Sequence, residues 1–269
     1  MSANSSSLKA VMLSIVIPSH NDIYLQKTID DLLANARGEI EVIAVLDGYW
    51  TKPRNDDRVR IVHLGKNRGM RGAINAGVSV SRGKYIMRTD EHCIFGDGYD
   101  SILSLQCEEN WICTPKRYFL DPVNWKVMDM PPVEIEKLVI QDEKKFSGQR
   151  WESRSKEMEK IPIVETMAMQ GSCWVMHRSW WDKVIVELQT EGYGPLIQDS
   201  HEMTFKTWKA GGKLMLNKNT WFAHKHRSFP RTHNNGTAEN PANCDSGYKY
   251  AIDTWRGYYE KEIKRKWGL

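Results

Sequence analysis

Four short apolar runs alternate with helix-patterned stretches in the first third of the chain, and this alternation constrains the fold more than any other feature. The runs are residues 12–17 (MLSIVI), 41–46 (EVIAVL), 58–64 and 85–87. The first two are apolar on both faces, as strands inside a parallel sheet are. Between them Leu25, Ile29, Leu32 and Leu33 recur at helical spacing, and Met70, Ile74, Gly77 and Val78 do so later. Strand and helix in alternation predict an α/β fold with a mostly parallel central sheet flanked by helices. Such sheets bind ligands outside the carboxyl ends of their strands. That is where this chain keeps its charged and hydrogen-bonding residues.

The fourth run opens the stretch YIMRTDEHCIFGD at residues 85–97. If the strand continues through Asp90 and His92, both side chains leave it on one side, because strand side chains alternate. A carboxylate and an imidazole together suit manganese or magnesium, with phosphate oxygens completing the shell. A solvated turn is the competing use of these residues. Ser19-His20-Asn21-Asp22 follows the first run, and Asn21 or Asp22 is placed to cap the next helix. Asp47 ends the second run, where it can meet a ligand or cap the turn. Lys66, Arg68 and Arg71 crowd the start of the second helix. They are candidates for phosphate contact, helped by the amides of the helix end, or else part of a solvated loop.

The rest of the chain is less regular. Residues 98–110 read as a helix and 111–117 as a strand. Residues 111–165 otherwise read as loops and short helices. Gly171 and Ser172 break an apolar run at 167–176, so Gly171 serves either close ligand approach or a bulge. A helix is expected around Trp180, Val184 and Leu188. Another follows Asp199 and Glu202 and stops at Gly211-Gly212. Lys213 to Leu216 reads as a short strand. In WFAHKHR, at 221–227, His224 or His226 can close the metal site, and Arg227 can meet a diphosphate through paired donors. Residues 228–248 are rich in Pro, Asn and Gly, which predicts a mobile loop. An amphipathic helix with Ile252, Trp255, Tyr259 and Ile263 ends the chain. Residues 1–10 read as a disordered lead, and 11–269 as one domain.

Charge and cysteine content narrow the setting. The net charge is +4, but from residue 203 onward 13 Lys and Arg face 5 Asp and Glu. A basic C-terminal third suits a phosphate-rich partner such as a nucleotide or nucleic acid, or serves as a solubilising surface. The 5 cysteines form no C-x-x-C pair, which disfavours a disulfide scaffold or structural zinc. They fit a reducing, cytoplasmic setting. No signal peptide or membrane-length apolar stretch is visible, so no membrane anchor is expected.

Taken in order, these residues resemble family 2 glycosyltransferases of the GT-A fold. In several details they resemble the catalytic domain of the polypeptide N-acetylgalactosaminyltransferases. The resemblance runs, with gaps, from Leu13 to Tyr259. Ser19 and His20-Asn21-Asp22 resemble that group's step into the uridine pocket, and Asp47 falls where an Asp recognises uracil. Gly69-Met70-Arg71 resembles its G-L-x-R stretch. Asp90-Glu91-His92-Cys93 resembles its D-x-H-C metal motif. Gly171 lies in a stretch similar to the strand beside the sugar. Asp199 and Glu202 follow the spacing of its acidic helix. Ala223-His224 resembles the G-H pair whose His is the third metal ligand, and Arg227 follows in order. The stretch YGPLIQDS at 193–200 departs from the family's W-G-G-E-N, which leaves sugar and acceptor open. The lectin-like module, secretory anchor and disulfides of that group are not expected here.

The resemblance implies a metal-dependent enzyme moving a sugar from a UDP-sugar to a hydroxyl acceptor. Asp90, His92 and His224 would hold Mn2+ or Mg2+. Ser19, His20, Asn21, Asp22, Asp47, Arg71, Asp90 and Gly171 would bind the donor, and Asp199, Arg227 and Glu202 would act at the reaction centre. The acceptor is expected to be a modified base in DNA, a protein or a glycan. A non-catalytic module that binds nucleotide sugar or nucleic acid is the alternative of a different class.

Overall fold

The computed structural model describes residues 12–226 and 241–269, with the side chains of 241–243 outside that description. The predicted runs become β1 (Leu13–Ser19), β2 (Ile40–Asp47), β3 (Val59–Leu64) and β4 (Tyr85–Thr89). The helices between them are α1 (Leu25–Asn35) and α2 (Gly69–Val80). Then come β5 (Cys93–Phe95), α3 (Tyr99–Gln106), β6 (Trp111–Asp121), β7 (Lys126–Val127), β8 (Glu136–Gln141) and β9 (Lys145–Arg150). The chain continues through α4 (Glu152–Glu157), β10 (Ile163–Glu165), β11 (Cys173–His177), α5 (Arg178–Trp180), α6 (Asp199–Lys209), β12 (Lys213–His224) and α7 (Pro241–Tyr258).

The main sheet has the order β10-β12-β6-β11-β4-β1-β2-β3. Strands β4, β1, β2 and β3 are parallel to their neighbours in that set, as is the pair β6 and β12. Strand β11 runs antiparallel to both β4 and β6. Alternation along β1 explains the double-sided burial. Leu13, Ile15 and Ile17 join the core under α1 and α3, while Val16 points into the opposite core with Ala73 and Ile74 of α2. The five cysteines are buried and in no disulfide. Among the described residues no helix is long and apolar enough to cross a membrane.

The structure differs from the sequence reading at several places. Residues 111–165 are mostly strand. Strands β8 and β9 form a hairpin through Asp142 and Glu143, whose φ values of 52° and 56° match the positive φ of primed hairpin turns. Strand β12 continues to His224, well past Leu216, with a register shift between Asn217 and Trp221. The helix at Trp180 is one α-turn that widens into a π-helical turn over Trp181–Ile185, leaving Leu188 outside it. Of the expected mobile loop, residues 241–248 lie in α7, and 228–240 fall outside the described residues. The amphipathic C-terminal helix runs from α7 through further helical turns to Trp267.

Candidate active site

Three side chains from the ends of two strands, β4 and β12, converge on one point. Strand β4 stops at Thr89, so Asp90 and His92 lie in the turn between β4 and β5 rather than on a strand. The Asp90 N–H donates to the Ser172 carbonyl (2.9 Å), which pins the start of that turn to the approach of β11. Strand β12 then pairs with β5 so that His224 faces Cys93, and the Lys225 N–H closes onto the His92 carbonyl (3.1 Å). The result places His224 Nε2 3.0 Å from Asp90 Oδ2 and 3.2 Å from His92 Nε2.

One ligand atom from each of Asp90, His92 and His224 fits within 4.8 Å of the others, as a shared divalent cation requires. Protonation states fit as well. Burial pushes His224 down to about 4 despite Asp90, so its imidazole is neutral and can ligate. Burial alone would raise Asp90, but Arg88, then His224 and His92, hold its carboxyl well below the usual range. His92 gives its Nδ1–H to Asp22 Oδ2 (2.9 Å), which fixes the ring and leaves Nε2 facing the other ligands. A carboxylate behind a ligating histidine orients it and raises its basicity. Asp22 therefore orients one member of the candidate metal triad. It does not cap α1 in the way expected; its Oδ1 accepts from Tyr24 N–H instead, and no side chain caps that helix.

A narrow cleft beside the triad runs between the ends of β1 and β2, lined by Ser19, His20, Asp47, Asn67, Met70 and Glu91. His20 Nδ1 lies 2.8 Å from the Asp47 carbonyl oxygen and 2.9 Å from Asn67 Nδ2. Asp47 Oδ1 accepts the Arg68 N–H (2.6 Å), so this carboxylate also holds the start of α2. Burial nonetheless raises its pKa. Glu91, which the sequence motif gives no role of its own, takes the His20 N–H on Oε1 (3.2 Å) and keeps Oε2 without a partner among the described residues. Burial pushes it up to about 7. Asn21 departs from expectation: it is exposed, has φ 61°, and lies outside the cleft.

On the other side of Asp90 a second cleft of about 240 Å³ contains Arg88, Gly171, Gln198, Asp199 and His224. Gly171 supplies room. A side chain there would begin 3.1 Å from Asp199 Oδ2. Asp199 opens α6 yet forms no cap bond, and its buried Oδ2 has no partner among the described residues. Arg88 straddles the two clefts. Its guanidinium contacts the Gly171 carbonyl and Asp90 Oδ1, with Met70 Sδ 3.2 Å away. The sequence did carry a sign of it, since Arg88 is the one charged residue in the apolar strand YIMRT.

Arg71 and Glu202 are corrected. They pair with each other, their side chains 0% and 1% exposed, and line neither cleft. Arg71 also donates to the carbonyls of Ile197 (2.9 Å from Nε) and Gln189 (2.9 Å from Nη1), and its own N–H goes to the Pro195 carbonyl (3.0 Å). Glu202 also receives Lys206 (2.7 Å) and the Gln189 N–H (3.3 Å). The pair clasps the loop that delivers Asp199. Gly69, with φ 74°, allows Pro195 of that loop to pack directly on the first turn of α2. Lys66 and Arg68 line a separate groove on the flank of α2. Arg227 lies outside the described residues.

Comparison with known proteins places this geometry. The description "Glycosyl transferase family 2" matches residues 14–185. An uncharacterized glycosyltransferase, EpsJ of Bacillus subtilis (strain 168), is 32% identical over 104 residues, covering 35% of this chain and 28% of EpsJ. The glycosyltransferase GlyG of Streptococcus pneumoniae serotype 4 (strain ATCC BAA-334 / TIGR4) is 30% identical over 107 residues, 36% of either chain. The matches thus span about a third of these curated relatives. The crystal structure of GalNAc-T7 with UDP, GalNAc and Mn2+ aligns over 95% of this chain and 50% of its own, with TM-score 0.70 and 15% identity. The architecture is therefore the GT-A fold of glycosyltransferases. Within that class, the chain belongs to glycosyl transferase family 2.

Proposed function

We propose that this protein transfers a sugar from a UDP-sugar to a hydroxyl acceptor with the help of a divalent metal. The convergence of Asp90, His92 and His224 at the end of the parallel strands carries the reading. Manganese fits a neutral-imidazole and carboxylate set. When bound, such an ion stabilises the negative charge developing on a leaving diphosphate. The fold shared with a UDP- and Mn2+-bound transferase supports the same donor. Ser19, His20 and Asp47 line the space for the nucleoside, and Asp22 keeps His92 oriented.

Transfer makes a bond from the acceptor oxygen to the anomeric carbon as the bond from that carbon to the diphosphate breaks. The hydroxyl proton needs an acceptor, and Asp199 offers an unpaired Oδ2 beside Gly171. Arg88 steadies Asp90 and the Gly171 carbonyl on the boundary between donor and acceptor clefts. A cytoplasmic setting belongs to the same proposal, supported by five buried cysteines that form no disulfide. The test is UDP release from a panel of UDP-sugars. Release should require Mn2+ or Mg2+, stop with EDTA and resume on adding metal. A protein that releases no UDP from any donor, and binds none, would contradict the proposal.

A further inference from the structure

The metal triad is flanked on two sides by cations seated on aromatic faces. On the α1 side, Tyr24 and Trp125 stack with ring centroids 5.5 Å apart and planes 19° from parallel. Lys27 Nζ lies 5.1 Å from the Trp125 centroid, and Lys225 Nζ lies 5.2 Å from that of Tyr24. On the β9 side, the Arg150 guanidinium lies 5.8 Å from the Phe119 centroid, and Phe119 lies 4.7 Å from the ring of His226. His226 is 5.2 Å from His224, and Tyr24 is held by Asp22, the residue behind His92. Both flanks are thus attached to triad residues.

Lys27, Arg150 and Lys225 make no ion pair within 4.0 Å among the described residues. The rim also exposes two large apolar side chains, Ile23 and Val123, each 83% accessible and next to or near the stacked pair. A neutral glycan would use the aromatic faces and leave the cations idle. An acidic peptide would use the cations and leave the flat faces idle. A nucleic acid strand uses both, because bases stack on aromatic rings and phosphates pair with Lys and Arg.

We propose that this rim binds a single strand of nucleic acid as the acceptor, with bases on the Tyr24–Trp125 platform and phosphates on Lys27, Lys225 and Arg150. The proposal rests on the transferase reading for its consequence, but its binding test is separate. A fluorescein-labelled single-stranded oligonucleotide of about ten bases is titrated with the protein at several salt concentrations. Binding should weaken steeply as salt rises. Trp125→Ala should weaken it by about 5- to 100-fold. The double variant Lys27→Glu, Arg150→Glu should weaken it further and flatten the salt dependence. UDP binding with Mn2+ should stay unchanged in both variants. Oligonucleotide binding that is the same in both variants as in wild type would overturn the proposal. So would equally tight binding of a polyglutamate of the same charge, because that would need no aromatic face. Failure to bind UDP would strike the transferase reading and leave the oligonucleotide result standing.

Discussion

Two regions on either side of Met70 use the same chemistry for different ends. In the clasp behind α2, Arg71 and Glu202 are shut away from solvent, and both are fully engaged with Gln189, Ile197 and Lys206. In the cleft in front, Arg88 meets Asp90, whose side chain remains 22% exposed. There the polar groups are incompletely satisfied: Arg88 Nε, Glu91 Oε2, Asp199 Oδ2 and His224 Nδ1 lack partners among the described residues. A buried polar atom left unpaired costs about 1–3 kcal/mol. Such a cost is retained where a ligand or a reaction supplies the missing partner. On the proposed reading, the clasp is complete because it is structure, and the cleft is incomplete because it awaits substrate.

Asp199 and Glu202 put this contrast on one helix, almost one turn apart. Asp199→Asn keeps the size and the hydrogen-bonding reach of the side chain. It should fold, bind UDP normally and lose roughly 100- to 10,000-fold in transfer rate. Near wild-type turnover would move Asp199 to the structural side of the comparison. Arg71→Ala tests the other side. It strands a buried carboxylate, which should cost about 3–5 kcal/mol of stability, read as an earlier midpoint in urea unfolding. Unchanged stability with lost UDP binding would show that Arg71 faces the donor after all, as the sequence motif suggested.

The parts of the site that were legible in the sequence share a feature. Asp90 and His92 follow one apolar run, His224 ends another, and Asp47 closes a third, so local patterning locates them. The parallel half of the sheet was legible for the same reason. What was not legible depends on long-range pairing. Glu202 is 131 residues from Arg71, and Asp22 is 70 from His92. Nothing near Arg71 in the chain distinguishes a phosphate ligand from a buried partner for α6. Residues 111–165 misled because β8 and β9 are half-exposed and polar, with Lys137, Gln141, Lys145 and Gln149 among them. Their pairing supplies order that composition does not signal. Trp125 was equally hidden, since only the β6–β7 hairpin brings it onto Tyr24.

The most direct test of the account is calorimetric titration of UDP into wild-type protein and His224→Ala, each with and without Mn2+. In the wild type, metal should strengthen UDP binding, and the variant should lose at least about tenfold in metal affinity while its metal-free behaviour stays the same. If His224→Ala keeps the full metal dependence of the wild type, the triad of Asp90, His92 and His224 is not the metal centre, and the donor site must be rebuilt around another ligand set.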